Sequence, residues 1–252
     1  MSRPRMHAAT RKANGSWPIS DARANRRRSL LLCTMVAAGM LGGKVGAAVR
    51  DEIDPVRLHR SGTAFFVTQD GELLTSGHIV RGCRHIEVWR DEDARLDASL
   101  EALDSRLDVA LLATHRRVSR IAVPRAGPVS RHDAAFTIGY GLTASTPLQP
   151  VVTRGRVDAT VDAKARRLLV MQAMLYEGNS GGPVLDEHGL LIGMIVGRYV
   201  NRPDRAVAID AGELARFLGA KAATPRTSTD REPGEGPRQT LREISALVQC
   251  AD

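Results

Sequence analysis

Three residues whose types could act together in one reaction are spread along this 252-residue chain: His78, Asp108 and Ser180. Ser180 lies in the run Gly178-Asn179-Ser180-Gly181-Gly182-Pro183. A serine hydroxyl is a weak nucleophile at neutral pH, because its proton must leave as it attacks. A reactive serine therefore needs a base, a group that holds the base, and donors for a developing oxyanion. Gly178 and Gly182 suit a tight turn that lifts Ser180 out of the chain, and a glycine lets a substrate carbonyl approach the backbone closely. A bare G-x-S-x-G run describes an ordinary glycine-rich hairpin equally well, so its value rests on partners elsewhere. His78 directly follows Leu73-Leu74-Thr75-Ser76-Gly77, a strand-like apolar run. Asp108 directly precedes another, Val109-Ala110-Leu111-Leu112. The order along the chain is His, Asp, Ser. Asp104 is a nearby competitor, and Asp108 is preferred because it abuts the apolar run.

The serine run also fits the nucleophile elbow of α/β-hydrolases, but that arrangement needs its acid and histidine after the serine. After Ser180 the only histidine is His188, in the turn-like stretch Asp186-Glu187-His188-Gly189. That reading would leave His78 and Asp108 without a role and is set aside. From residue 48 onward, the remaining histidines, His59, His85, His115 and His132, sit in polar or turn-like contexts and are read as solvated.

Together with Ser61-Gly62-Thr63-Ala64-Phe65-Phe66-Val67, these runs resemble the trypsin-like (chymotrypsin-fold) serine peptidases, particularly their bacterial HtrA/Deg-like branch. There the corresponding segments read L-T-N-x-H-V-V, D-x-A-L-L and G-N-S-G-G-P. The resemblance covers roughly residues 56–218. It implies Ser180 as nucleophile, His78 as general base and acid, and Asp108 as the group orienting the imidazole. It implies an oxyanion hole built from the backbone N–H groups of Gly178 and Ser180. The implied activity is endopeptidase cleavage of proteins or peptides through an acyl-enzyme. A rival is a peptidase-fold binding or chaperone-like module.

Three departures from trypsin carry information. Asn179 stands where secreted trypsins have an aspartate that pairs with a new amino terminus, so no activating cut is expected. Ser76 stands where the family often has asparagine. Val196 stands where trypsins have a serine that supports the catalytic aspartate. By the same resemblance Met174 lies at the base of the specificity pocket, beside Leu175, with Ile195, Val196 and Gly197 as the opposite wall. An apolar pocket without a counter-charge disfavours a buried substrate cation. Cleavage after small or aliphatic residues is expected, with Glu177 and Arg198 at the rim.

The elements that must position these residues read as short strands. Apolar or alternating runs at Phe65–Val67, Ile86–Trp89, Ser99–Leu103 and Val109–Leu112 form one set. Ala134–Ile138, Val151–Val161, Leu168–Gln172, Val184–Leu185, Leu191–Val196 and Ala206–Ile209 form a second. Gly, Asp and Ser residues punctuate both. Such spacing argues an all-β barrel or sandwich, and the resemblance makes it two six-stranded antiparallel β-barrels. Ala211–Leu218 has helical spacing, with Asp210 placed to cap it.

The formal net charge of +8 invites a nucleic-acid partner. However, residues 1–47 hold nine Lys/Arg and one Asp, so from residue 48 onward the balance is zero. The folded part therefore makes no electrostatic case for nucleic acid. Arg26-Arg27-Arg28 precedes about a dozen mostly apolar residues, and Val45-Gly46-Ala47 fits a signal-peptidase site. Residues 1–47 are read as an export signal of twin-arginine type, giving a periplasmic or secreted protein. An uncleaved single-span anchor is the alternative, and the only membrane contact foreseen. Residues 48–221 are read as the peptidase domain, and 222–252 as a linker with a short helical tail, too short for the PDZ domain that HtrA proteins usually carry. Cys83 and Cys250 either pair in an oxidising compartment or stay as free thiols. Neither lies in a ligand-spaced cluster, so no metal and no cofactor are expected.

Overall fold

The computed structural model describes residues 60–90, 95–141, 149–163, 166–227 and 236–251. Residues 1–47, read as an export signal, lie outside them. The first barrel begins with β1 (Arg60–Phe66) and β2 (Glu72–Ser76), then a single helical turn, α1 (Gly77–Val80). β3 (His85–Trp89), β4 (Arg95–Asp104) and β5 (Val109–Ala113) follow. The second barrel comprises β6 (Ala134–Gly139), β7 (Val151–Ala163), β8 (Arg166–Gln172), β9 (Pro183–Leu185), β10 (Leu191–Tyr199) and β11 (Arg202–Asp210). Two helices, α2 (Ala211–Leu218) and α3 (Pro237–Ile244), precede a last strand, β12 (Ser245–Ala251).

Both sheets close. Strand order is β1-β12-β3-β4-β5-β2 in the first barrel and β10-β11-β8-β7-β6-β9 in the second, with every strand pairing antiparallel. Closure leaves no sheet edge along most of each strand, which is why so many short strands are stable together. Alternation fills the interiors. Ala64, Phe66, Leu73, Ala110 and Leu112 pack inside the first barrel, and Leu169, Met171, Val184, Ile192 and Ile195 inside the second. A third cluster joins the two: Phe65, Leu74 and Leu111 from one barrel meet Phe136, Ile138 and Met194 from the other. Successive strand residues point to opposite faces, so one run such as Phe65-Phe66 serves both its own core and the inter-barrel seam.

The C-terminal stretch corrects the expected boundary at residue 221. Ser245–Ala251 is not part of a tail helix but a full barrel strand, paired with β1 on one side and β3 on the other. Leu241 and Ile244 keep the helical i, i+3 spacing and dock into the inter-barrel seam. From Ser245 the chain extends, and Ala246 and Val248 enter the first barrel's interior. A short apolar run cannot be assigned to helix or strand by its own periodicity. Here the vacancy between β1 and β3 decides. Cys250 then lies beside Cys83 at a Cα separation of 5.7 Å, and the two form a disulfide. Asp210 caps α2 as expected, accepting from the Gly212 N–H at 2.8 Å. Its carboxyl pKa is raised, chiefly by burial and against the hydrogen bond from Gly212.

Candidate active site

The proximity of His78 and Asp108 follows from strand register. β2 and β5 pair Leu73 with Leu112, Leu74 with Leu111 and Ser76 with Val109. One step beyond, the Gly77 N–H donates to the Asp108 carbonyl at 2.9 Å. The two apolar runs therefore align and deliver His78 and Asp108 to the same end of the ladder. Ile79 and Val80 are buried in the first barrel, which anchors the turn and leaves the His78 ring partly open to solvent. A Cβ on Gly77 would crowd Leu103 and Asp108, so glycine here permits the close approach.

Asp108 holds His78 at two points. Its Oδ2 lies 2.7 Å from His78 Nδ1, and its Oδ1 accepts the His78 backbone N–H at 2.8 Å. An ionised carboxylate can only accept, so against an ionised Asp108 a neutral imidazole carries its proton on Nδ1 and presents a lone pair on Nε2. Asp108 adopts φ of 62°, a left-handed conformation uncommon for a non-glycine residue. The rival Asp104 does something else: its Oδ1 accepts from the Arg106 and Leu107 N–H groups at 2.7 and 3.0 Å and closes the turn leading to Asp108. Val196 has no hydroxyl to offer Asp108. The second contact comes instead from the backbone of His78 itself.

Ser180 sits on the turn between β8 and β9, where Gly178 and Gly181 have φ of 93° and 82°. A Cβ on Gly178 would collide with the Tyr140 carbonyl, so this turn requires glycine on two counts. Hydrogen bonds to both barrels fix the turn. The Thr63 N–H donates to the Ser180 carbonyl at 2.9 Å, and Thr63 Oγ1 donates to the Gly178 carbonyl at 2.6 Å. The Gly181 N–H reaches the Ile195 carbonyl at 2.8 Å. Inside the loop, Asn179 Oδ1 accepts the Tyr176 N–H at 3.0 Å. Among the described residues, the N–H groups of Gly178 and Ser180 have no protein acceptor. They remain available to an oxyanion. Nor is Ser180 Oγ hydrogen-bonded to His78 among the described contacts.

Several of these positioning groups carried no role in the sequence reading. Thr63, Thr75 and Ser76 are small hydroxyl residues wholly buried among apolar neighbours. Thr75 Oγ1 donates to the Thr63 carbonyl at 2.8 Å, and Ser76 Oγ to the Ile195 carbonyl at 3.2 Å. A buried hydroxyl must find a partner, so hydroxyls interrupting apolar runs beside a candidate histidine were the available signal. Asn179 is also buried, with its amide packed against Gly139.

The expected pocket residues divide. Leu175 and Ile195 are 3% and 1% exposed and point into the second barrel's core. They present backbone, not side-chain walls. Met174 is 51% exposed, an open apolar surface rather than a buried floor. Val196 is half-buried against the seam, and a Cβ on Gly197 would meet nothing within 4 Å. Ile195 and Val196 thus pack on opposite faces of β10, the one in the barrel core and the other at the seam.

Comparison with known proteins places this geometry. The chain is 26% identical over 175 residues to the serine protease Rv3671c of Mycobacterium tuberculosis, covering 67% of this chain and 44% of that protein. It is 32% identical over 203 residues to the uncharacterized protein y4bJ of Sinorhizobium fredii, covering 75% and 32%. It is 29% identical over 143 residues to a probable periplasmic serine endoprotease, DegP-like, of Rhizobium meliloti, covering 55% and 28%. The chain thus spans less than half the length of these relatives. In fold, it matches the crystal structure of the Rv3671c protease in its active form with a TM-score of 0.58 at 23% identity, over 66% of this chain and 76% of that one. The family described as the trypsin-like peptidase domain matches residues 62–194, just over half of the chain. This chain therefore belongs to the trypsin-like peptidase family, whose two six-stranded barrels it carries in full.

Proposed function

We propose that the protein is a serine endopeptidase in which His78, Asp108 and Ser180 act as a triad. The observation that carries this is the paired contact of Asp108 with His78, at the seam where Thr63 ties the Ser180 turn to the first barrel. With Nδ1 committed to Asp108, Nε2 is the nitrogen that takes the Ser180 proton as Oγ attacks a peptide carbonyl. The new C–O bond places negative charge on the carbonyl oxygen, opposite the unspent N–H groups of Gly178 and Ser180. Collapse breaks the C–N bond, and His78 returns its proton to the departing amine. Water, activated by the same nitrogen, then hydrolyses the acyl-enzyme. The contact between Ser180 and His78 tightens when substrate binds, as such contacts do in unliganded sites.

Asn179 and Thr63 supply the loop contacts that would otherwise need a new amino terminus, which supports a chain active without a zymogen cut. The absence of a carboxylate at position 174 argues against Arg or Lys and supports cleavage after small or aliphatic residues. Removing such a side chain from water is worth roughly 1.5–3 kcal/mol. The leader-like residues 1–47 and the disulfide support export to an oxidising compartment. The test is labelling of the folded protein with a fluorophosphonate probe. Wild type should label covalently and Ser180→Ala should not. An unlabelled wild type that still binds unfolded polypeptides would favour the chaperone-like reading.

A further inference from the structure

The edge of β10 that faces away from β11 is only partly covered. β9 pairs with it at Leu191, Gly193 and Met194. The N–H and carbonyl of Ile195 are then taken by Gly182 and Gly181, on either side of the bond that follows the Ser180 turn. From Val196 to Tyr199 this edge has no strand neighbour among the described residues. The edge thus starts beside Ser180 and runs away from it, into the two-residue hairpin Val200-Asn201 that joins β10 to β11. An exposed strand edge is a template for an extended peptide.

The hairpin tip does not resemble an inert turn. Val200 is 95% exposed and Tyr199 47%. Tyr176, on the serine loop, is 68% exposed. The Ala173 N–H donates to the Asp204 carbonyl at 3.0 Å, which brings Met174 alongside the start of β11. These apolar groups are flanked by Arg198 and Arg202, both exposed and without an ion-pair partner among the described residues. Arg205, by contrast, is held by Asp158 at 3.1 Å and Asp204 at 2.7 Å. Two unspent cations beside open apolar surface, continuous with an edge that leads to the serine, suit an acidic and apolar peptide segment.

We propose that the β10–β11 hairpin tip is a distal subsite that selects acidic residues, set among apolar ones, upstream of the cleaved bond. This rests on the peptidase reading, with the residues preceding the attacked carbonyl extending along the open Val196–Tyr199 edge that starts beside Ser180. At about 3.3 Å per residue, the tip is reached some 13 Å along that edge, level with the third to fifth substrate residue before the cleaved bond.

The test uses two fluorogenic peptides with a common aliphatic cleavage site. One carries Glu, the other Lys, at the fourth and fifth positions upstream. Exposed ion pairs are individually weak, so kcat/KM should favour the Glu peptide by roughly three- to tenfold at low salt. High salt should shrink that ratio. The variant Arg198→Glu with Arg202→Glu should reverse it, and a ratio within one variant is insensitive to any general loss of activity. The same peptides are titrated against Ser180→Ala by fluorescence anisotropy, which reads selection without turnover. Selective binding with no cleavage by wild type would sink the catalytic reading and leave the subsite standing. Equal handling of both peptides in both assays would overturn the subsite. So would a double variant that loses only its binding to anionic vesicles, because the arginines would then serve a lipid surface.

Discussion

Thr63 grips the Ser180 turn from the opposite barrel, its N–H on the Ser180 carbonyl and its hydroxyl on the Gly178 carbonyl. The same hydroxyl accepts the Tyr140 N–H at 3.2 Å, so both its hydrogen-bonding capacities are used. The peptide planes that aim the candidate oxyanion donors are therefore set by a residue on β1, remote in sequence from the serine.

Thr63→Val keeps the shape of this side chain and deletes its bonds. The Gly178 carbonyl would lose its hydroxyl donor, at a cost of about 1–3 kcal/mol. The expected outcome is a kcat lowered by roughly ten- to a hundredfold, with the fold retained by circular dichroism. Thr63→Ser should recover most of the loss. Unchanged turnover in the valine variant would show that other contacts suffice to set the loop.

Asp108→Asn tests whether the carboxylate selects the imidazole tautomer. The amide can present a donor to Nδ1, which moves the proton to Nε2 and removes the base from the serine. In trypsin the corresponding change lowers kcat by about 10⁴, and a loss of that order is expected here in steady-state peptide hydrolysis. Asp104→Asn, which alters only the turn cap, should retain activity to within about tenfold. Equal losses from both would mean that turn geometry, not the tautomer, matters.

Much of this was legible in the chain, for identifiable reasons. His78 and Asp108 stand at the ends of apolar runs, and strand ends lie near one another when the runs pair in register, while Ser180 is marked by its glycine-rich turn. Leu73–Ser76 and Val109–Leu112 are of equal length and similar character, so their ladder could be foreseen. The closing strand Ser245–Ala251 could not. Its partners β1 and β3 begin 185 and 160 residues earlier, and nothing local separates it from the end of α3. The facing of the expected pocket residues was not legible, for a different reason. Ile195 packs in the second barrel's core and Val196 against the seam, and a bulge in β10 between Ile195 and Gly197 breaks the simple alternation that would separate core from open side chains.

Asp210 carries a pH dependence whose sign is set by burial. Its folded pKa lies above the ordinary 3.8, so ionisation is disfavoured in the folded protein. Below the unfolded pKa the group is neutral in both states and contributes no penalty. The penalty builds as pH rises from the unfolded value through the folded one, and persists at neutrality. Asp210→Asn keeps the acceptor for the Gly212 N–H and removes the charge. It should raise the unfolding temperature at pH 7 and leave it unchanged at pH 3. A variant less stable at pH 7 would mean that attraction to Arg167, Arg216 and the helix N-terminus outweighs burial.

The disulfide makes the last prediction. It joins Cys83, five residues beyond His78, to Cys250 on the strand that closes the first barrel, across 167 residues of chain. Arg60 spans the same corner, with one guanidinium nitrogen 3.1 Å from the His78 carbonyl and the other 3.3 Å from Cys250 Sγ. In the chain-entropy account, a cross-link over so long a loop stabilises by up to about 5 kcal/mol. Among the described residues, strand β12 is otherwise held by hydrogen bonds to β1 and β3 and by burial of Ala246, Leu247 and Val248. Its release would open the barrel beside the turn that carries His78. Reduction, or Cys83→Ser with Cys250→Ser, should therefore lower the denaturant midpoint, and activity should be lost before the second barrel unfolds. Hydrogen exchange resolved by segment would read this directly: residues 245–251 and 60–66 should lose protection together, ahead of 191–210. Uniform loss of protection across both barrels would show instead that the cross-link acts on the whole fold and not on the closing strand.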